Sequence, residues 1–263
     1  MRLFLAALIL LTIALMLWTG MWGPRVRNLT PVQRGALLAQ RTGCFTCHGP
    51  GGTGGVGNAG HPDGDIPGFT KGTPMMYADS PADLRAWIAD GITEKKRHSE
   101  SYKAKAAKGA LHMPAFGKRL GAGEIDDLAA FVRATSGEFL PEDSTQNAVL
   151  TRGIELGKTL GCTSCHGPLG AGGPPNPGSL KGYVPGWNGA DFPELVRDST
   201  EFRQWVQEGV SPRFRANAFA RVFLRGARTH MPAFHGRVSD QDLRDLWALI
   251  RVMREAPATA WAR

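Results

Sequence analysis

Two segments of the 263-residue chain carry residue types suited to a covalent metal-cofactor site, GCFTCHGP at 43–50 and GCTSCHGP at 161–168. Each spells Cys-x-x-Cys-His, first as Cys44, Cys47 and His48 and again as Cys162, Cys165 and His166. Two residues between the thiols let both sulfurs reach one porphyrin edge and add across its vinyl groups. The histidine that follows is then turned beneath the iron as an axial ligand. The pattern therefore predicts two covalently bound haem c groups. A zinc site would need ligands beyond each motif, and all four cysteines are already in the two motifs. A redox dithiol would want a βαβ setting, of which the sequence has no sign.

The two motifs are related by a fixed offset of 118 residues. The same offset takes Arg34-Gly35 to Arg152-Gly153, Trp87 to Trp205, Gly91 to Gly209 and Arg133 to Arg251, with no gap. It takes Ile66-Pro67-Gly68-Phe69 to Val184-Pro185-Gly186-Trp187, and His112-Met113-Pro114-Ala115-Phe116 to His230-Met231-Pro232-Ala233-Phe234. The chain thus reads as two copies of one domain, over 30–138 and 147–256, joined by a linker near Ser136–Gln146.

That register selects a second iron ligand. Met113 and Met231 each lie 65 residues after their motif histidine, whereas Met75 and Met76 align with Pro193 and Glu194. The proline after each shared methionine restrains it to an extended backbone, which suits a loop delivering sulfur to a metal. His112 and His230 compete for the same position. Adjacent side chains in an extended loop point to opposite sides, so methionine is favoured and the histidines read as loop or surface residues.

Cys-x-x-Cys-His-Gly early, Met-Pro late and a closing amphipathic helix resemble the class I c-type cytochromes, in two tandem copies over about 30–253. The resemblance implies an all-α fold with each haem in a crevice between the first and last helices of its domain. The whole resembles a membrane-anchored dihaem cytochrome c, a plan shared by dihaem oxidase subunits and two-domain soluble shuttles. The long segment between motif and methionine, with its Ile/Val-Pro-Gly-aromatic sequence, departs from the family pattern.

The elements that must position these residues are helical. Thr30-Pro31 supplies an N-cap and a first-turn proline for a helix toward Gly43. Ser80-Pro81 opens another that ends near Gly91, repeated from Asp198 to Gly209. Glu124–Ala134 and Val238–Arg254 carry apolar residues at three- and four-residue spacing, one buried face each. The Gly- and Pro-rich stretches 49–74 and 167–193 read as loops around the haem edge, with Phe69, Trp187, Trp87 and Trp205 as packing residues.

At the amino terminus, Leu3–Trp22 is an apolar run of 20 residues, about the length that spans a bilayer. No Ala-x-Ala cleavage site follows, and Trp18 and Trp22 suit an interfacial belt, so residues 1–24 read as an uncleaved transmembrane anchor. Flanking charges leave the orientation tied. The resemblance breaks the tie, since haem c is attached outside the bacterial inner membrane. It implies a single-pass inner-membrane protein with its haem domains on the periplasmic side.

The formal net charge is +8, spread over both copies, and the pattern is not that of a nucleic-acid binder. Two local basic runs, 94–109 and 213–228, lead directly into the HMPAF segments. They predict collars that dock acidic redox partners, such as a quinol-oxidising complex, a terminal oxidase or a dehydrogenase. With His48 and Met113, and His166 and Met231, each closing a six-coordinate iron, the chain reads as an electron carrier and not an enzyme. The alternatives are a dihaem subunit of a terminal oxidase or dehydrogenase complex, and a dihaem peroxidase-like enzyme with one open iron.

Overall fold

The structure, a computed structural model, describes residues 9–12, 29–70, 73–137 and 147–255. Helix α1, Pro31–Thr42, starts where Thr30 accepts from the Gln33 N–H while Gln33 reaches back to the Thr30 N–H, a reciprocal capping box. It stops at Gly43, whose left-handed φ of 80° turns the chain straight into α2, Cys44–His48. After a Gly- and Pro-rich loop, α3 (Pro81–Asp90) is capped by Ser80 and ends at Gly91. Two short helices, α4 (Glu94–Arg97) and α5 (Glu100–Ala106), precede the closing helix α6, Ala122–Ser136.

The second half repeats this order with α7 (Ala148–Thr159), α8 (Cys162–His166), α9 (Phe192–Leu195) and α10 (Ser199–Glu208). Helices α11 (Pro212–Ala216), α12 (Ala218–Gly226) and α13 (Asp240–Glu255) complete it. Among the described residues there is no strand, only two isolated bridges, Gly57–Asp65 and Pro175–Tyr183, at equivalent places in the two loops. The fold is all-α, as expected.

In each half the first and last helices cross at a glycine. A Cβ on Gly35 would stand 1.9 Å from the Asp127 carbonyl oxygen, and one on Gly153 would stand 2.7 Å from that of Asp245. The arginine beside each glycine binds the aspartate of the partner helix. Arg34 grips Asp127 through two bonds of 2.6 and 2.7 Å, and Arg152 reaches Asp245 at 2.7 Å. The closing helices bury Leu128, Phe131 and Val132 in one half and Leu246, Leu249 and Ile250 in the other, which explains their apolar spacing.

The sequence-based expectations differ from the structure in several places. Both basic runs form short helices, on which the sequence carried no expectation. Thr93, Ser99 and Asn217 each accept from a first-turn N–H. The first closing helix runs past the expected Ala134, through Ser136 to a Gly137 cap, and the rest of the expected linker, 138–146, lies outside the described residues. The expected anchor Leu3–Trp22 also lies outside them, apart from a helical stretch at 9–12. Among the described residues no helix is long and apolar enough to cross a membrane.

Candidate functional site

Each Cys-x-x-Cys-His motif forms one helical turn between two glycines of positive φ, Gly43 and Gly49 in one half, Gly161 and Gly167 in the other. The four thiols are unpaired and part-buried. The turn aims its histidine inward. His48 Nδ1 lies 2.6 Å from the Pro67 carbonyl oxygen, and His166 Nδ1 lies 2.8 Å from that of Pro185. A carbonyl can only accept, so Nδ1 carries the proton in both rings and Nε2 keeps a free lone pair. Burial lowers the pKa of both imidazoles against the raising effect of that hydrogen bond, which keeps them neutral and fit to ligate a metal. Phe69 packs on His48 with ring centres 4.6 Å apart, and Trp187 on His166 at 5.8 Å. The Pro-Gly-aromatic sequence is thus the brace of the motif histidine.

The methionine loops are fixed from two directions. Buried Asn58 donates from Nδ2 to the Leu111 carbonyl at 3.0 Å and accepts the Leu111 N–H at 2.9 Å. Asn176 does the same with Thr229, at 2.8 and 2.9 Å. Both partners stand two residues before the methionine. On the other side, the N–H groups of Phe116 and Gly117 bond to Ile88 and Ala89, and those of Phe234 and His235 to Val206 and Gln207. The loop thereby lies against the C-terminal end of α3 or α10. Gly91 and Gly209 sit at that contact with φ of 70° and 73°, where a Cβ would stand 2.3 and 2.5 Å from the Met113 and Met231 carbonyl oxygens. The asparagines were missed in the sequence, although they hold the 118-residue register.

These elements enclose one apolar cavity per half. The first, about 610 Å³, is lined by Cys44, Cys47, His48 and Met113, together with Trp87 and Phe131. The second, about 440 Å³, is lined by Cys162, Cys165, His166 and Met231, together with Trp205 and Leu246. Both volumes lie in the range of cofactor sites. Thiols on one wall, a neutral imidazole with Nε2 free and a methionine in the same cavity fit haem c. No group of three His, Cys, Asp or Glu side chains able to hold a bare metal ion occurs among the described residues. His112 and His230 are exposed, and His230 Nε2 donates to the Leu224 carbonyl at 2.6 Å. Met76 is 78% exposed at the rim of the first cavity.

Several cations of the two basic runs are paired within the chain. Lys95 binds Asp79 and Lys105 binds Asp63, both at 2.6 Å. Lys96 lies over the rings of Tyr77, Trp87 and Tyr102, 5.1–5.5 Å from their centres. Arg213 holds the buried Glu201, and Arg215 binds Glu208. In the second run, Arg221, Arg225 and Arg228 remain exposed.

Comparison with known families agrees with this geometry. Residues 32–136 match the family described as Cytochrome c. Residues 150–250 match the one described as Cytochrome C oxidase, cbb3-type, subunit III. The chain belongs to the c-type cytochromes, as a dihaem member built from two tandem cytochrome c domains. Such domains bind haem c covalently and carry electrons. No curated protein matched the chain.

Proposed function

We propose that the protein is a carrier that moves electrons between membrane or periplasmic redox partners through two His/Met-ligated haems c. Cys44 and Cys47 would attach one haem and Cys162 and Cys165 the other. His48 with Met113, and His166 with Met231, would be the axial pairs. The observation that carries this reading is the gathering, in each half, of both thiols, the Nδ1-protonated histidine and the methionine around one apolar cavity.

Haem c supplies a one-electron iron couple, and His/Met ligation sets it at a higher potential than stronger donors do. The chain's own residues do the rest. The Pro67 and Pro185 carbonyls orient the imidazoles, Asn58 and Asn176 hold the methionine loops closed, and the apolar walls exclude water. With His and Met both held to one iron, no position would be left for a substrate, which favours a carrier over a peroxidase-like enzyme. Residues 1–24 would anchor both domains to the bacterial inner membrane on its periplasmic side. The exposed Arg221, Arg225 and Arg228, flanking exposed Phe219 and Val222 on α12 beside the second cavity, would dock an acidic redox partner.

The optical spectrum of the oxidised protein tests the reading. Two low-spin haems with the methionine-to-ferric charge-transfer band at full intensity support it. A high-spin haem, or half the band, would replace it with an enzyme or a bis-His site. The match of 150–250 favours a second reading, a dihaem subunit of an oxidase complex. Copurification with a haem–copper partner would support that reading, and extraction as a free monomer would not.

A further inference from the structure

The two domains are copies in sequence, yet the contact between them is one-sided. Thr30 Oγ1, at the start of α1, donates to the Ala171 carbonyl at 2.5 Å. Gln33 Nε2 donates to the carbonyls of Gly173 at 3.1 Å and Val184 at 3.2 Å. Gln33 is 2% exposed, and its side chain lies so close to Gly172 that a Cβ there would stand 2.1 Å from it. The 118-residue register places Ala148 and Thr151 at the equivalent positions of the second domain, and Thr151 is exposed.

The receiving loop has adapted to this contact. Leu169 has φ 50° and ψ 23°, a left-handed conformation that the first domain gives to Gly51 at φ 63° and ψ 11°. A leucine is strained there. It is retained as a buried residue of the core, 8% exposed, in a turn that packs against α6, whereas Gly51 is exposed. Ala171 is fully buried, whereas its counterpart Thr53 is exposed.

The loop that Gln33 grips is the one that braces the second motif histidine. The Gly172 N–H donates to the His166 carbonyl at 2.7 Å, the Gly173 N–H to the Val184 carbonyl at 3.0 Å, and Val184 leads into Pro185. The Pro185 carbonyl then accepts from His166 Nδ1. One buried side chain of the first domain therefore fixes both strands of the second domain's histidine brace.

We infer that Gln33 is a positioning residue of the second haem centre, so that the first domain sets the orientation and donor strength of His166. The dependence runs one way, because among the described residues no side chain of the second domain bonds to the equivalent face of the first domain's loop, where Thr53 is exposed. This inference rests on the two-haem reading, which a count of two haems per wild-type chain tests separately.

The test is a redox titration of the full-length holoprotein, with the two centres assigned through a Met113→His background. Gln33→Glu keeps the oxygen that caps the Thr30 N–H and removes the Nε2 donor. A looser brace weakens the His166 hydrogen bond and makes the imidazole a poorer donor, which favours reduced iron. The second centre's potential should rise while the first stays in place. Gly172→Ala, which displaces the Gln33 side chain from the other side and leaves the Thr30 side-chain half of the α1 cap in place, should move the same centre. Thr151→Ala should move neither. Unchanged potentials in both the Gln33→Glu and Gly172→Ala proteins, or equal shifts at both centres, would overturn the inference.

Discussion

Asn176 and Thr229 exchange two hydrogen bonds across 53 residues of sequence, side-chain amide to backbone carbonyl at 2.8 Å and backbone N–H to side-chain oxygen at 2.9 Å. Asn176 is 6% exposed and forms the rear support of the Met231 loop. Asn176→Ala leaves two backbone groups without their partner, at a cost of about 2 kcal/mol. We expect the methionine charge-transfer band to fall by half in the oxidised protein, since Asn58 still holds the other loop. Asn58→Ala should remove the other half, and the double variant nearly all of it. A full-intensity band in either single variant would show that the asparagine is not needed to hold the sulfur.

Gly209 faces the same loop from the opposite side. Its φ of 73° disfavours any side chain, and a Cβ would meet the Met231 carbonyl oxygen at 2.5 Å. Gly209→Ala should destabilise the second domain by about 2 kcal/mol or more in urea unfolding and push the methionine loop outward. Gly123→Ala is the control, because nothing lies within 4 Å of a Cβ there and the site is helical. It should be neutral or stabilise by about 0.5–1 kcal/mol.

The parts legible in the sequence were those written in side chains with few alternative uses. The paired thiols, the adjacent histidine, the repeated Met-Pro and the capping residues Thr30, Ser80 and Asp198 each point to one local structure. The histidine brace was not legible, because its acceptor is a backbone carbonyl, which every residue has. Asn58 and Asn176 were in register but sit in Gly- and Pro-rich stretches, where asparagine is ordinary turn chemistry. Gln33 was hidden for a different reason. A search for repeats keeps what the copies share, and Gln33 acts where they differ. Which cations of the basic runs are paired was not legible either, because charge alone does not say whether a carboxylate from another element is nearby.

Glu201 shows such a pairing and gives a pH dependence. It is 7% exposed and accepts from Arg213, Ser211 and the Arg197 N–H at 2.7–3.0 Å. Burial pushes its carboxyl up, but the bonds from Arg213, the Arg197 N–H and Ser211 together outweigh it and hold the pKa below the ordinary 4.5. A depressed folded pKa contributes stability that is present above the unfolded value and is lost as pH falls through the folded one. Glu201→Gln should therefore cost about 2 kcal/mol at neutral pH, the lower side of a broken buried pair because Arg213 keeps partial solvent access. The gap to wild type should close as pH falls below 4.5, read by urea unfolding across that range. A gap that persists unchanged in acid would mean that packing, not charge, holds the site.

The same pairing decides which cations can serve a partner. Arg213 grips the buried Glu201, so reversing it would disturb the fold before it disturbed docking, and Arg215 is already paired with Glu208 at the surface. Arg221 and Arg225 are exposed on α12, which also exposes Phe219 and Val222. Phe223 of the same helix packs on Phe219 at 4.9 Å and lines the second cavity. An anionic oxidant approaching that face would meet the cations first. Arg221→Glu with Arg225→Glu should slow oxidation of the reduced protein by hexacyanoferrate(III) about tenfold at low ionic strength, with the rates converging in about 1 M salt, where the screening length falls to about 3 Å. Both potentials should stay in place. Equal rates in low salt would move the docking face away from α12.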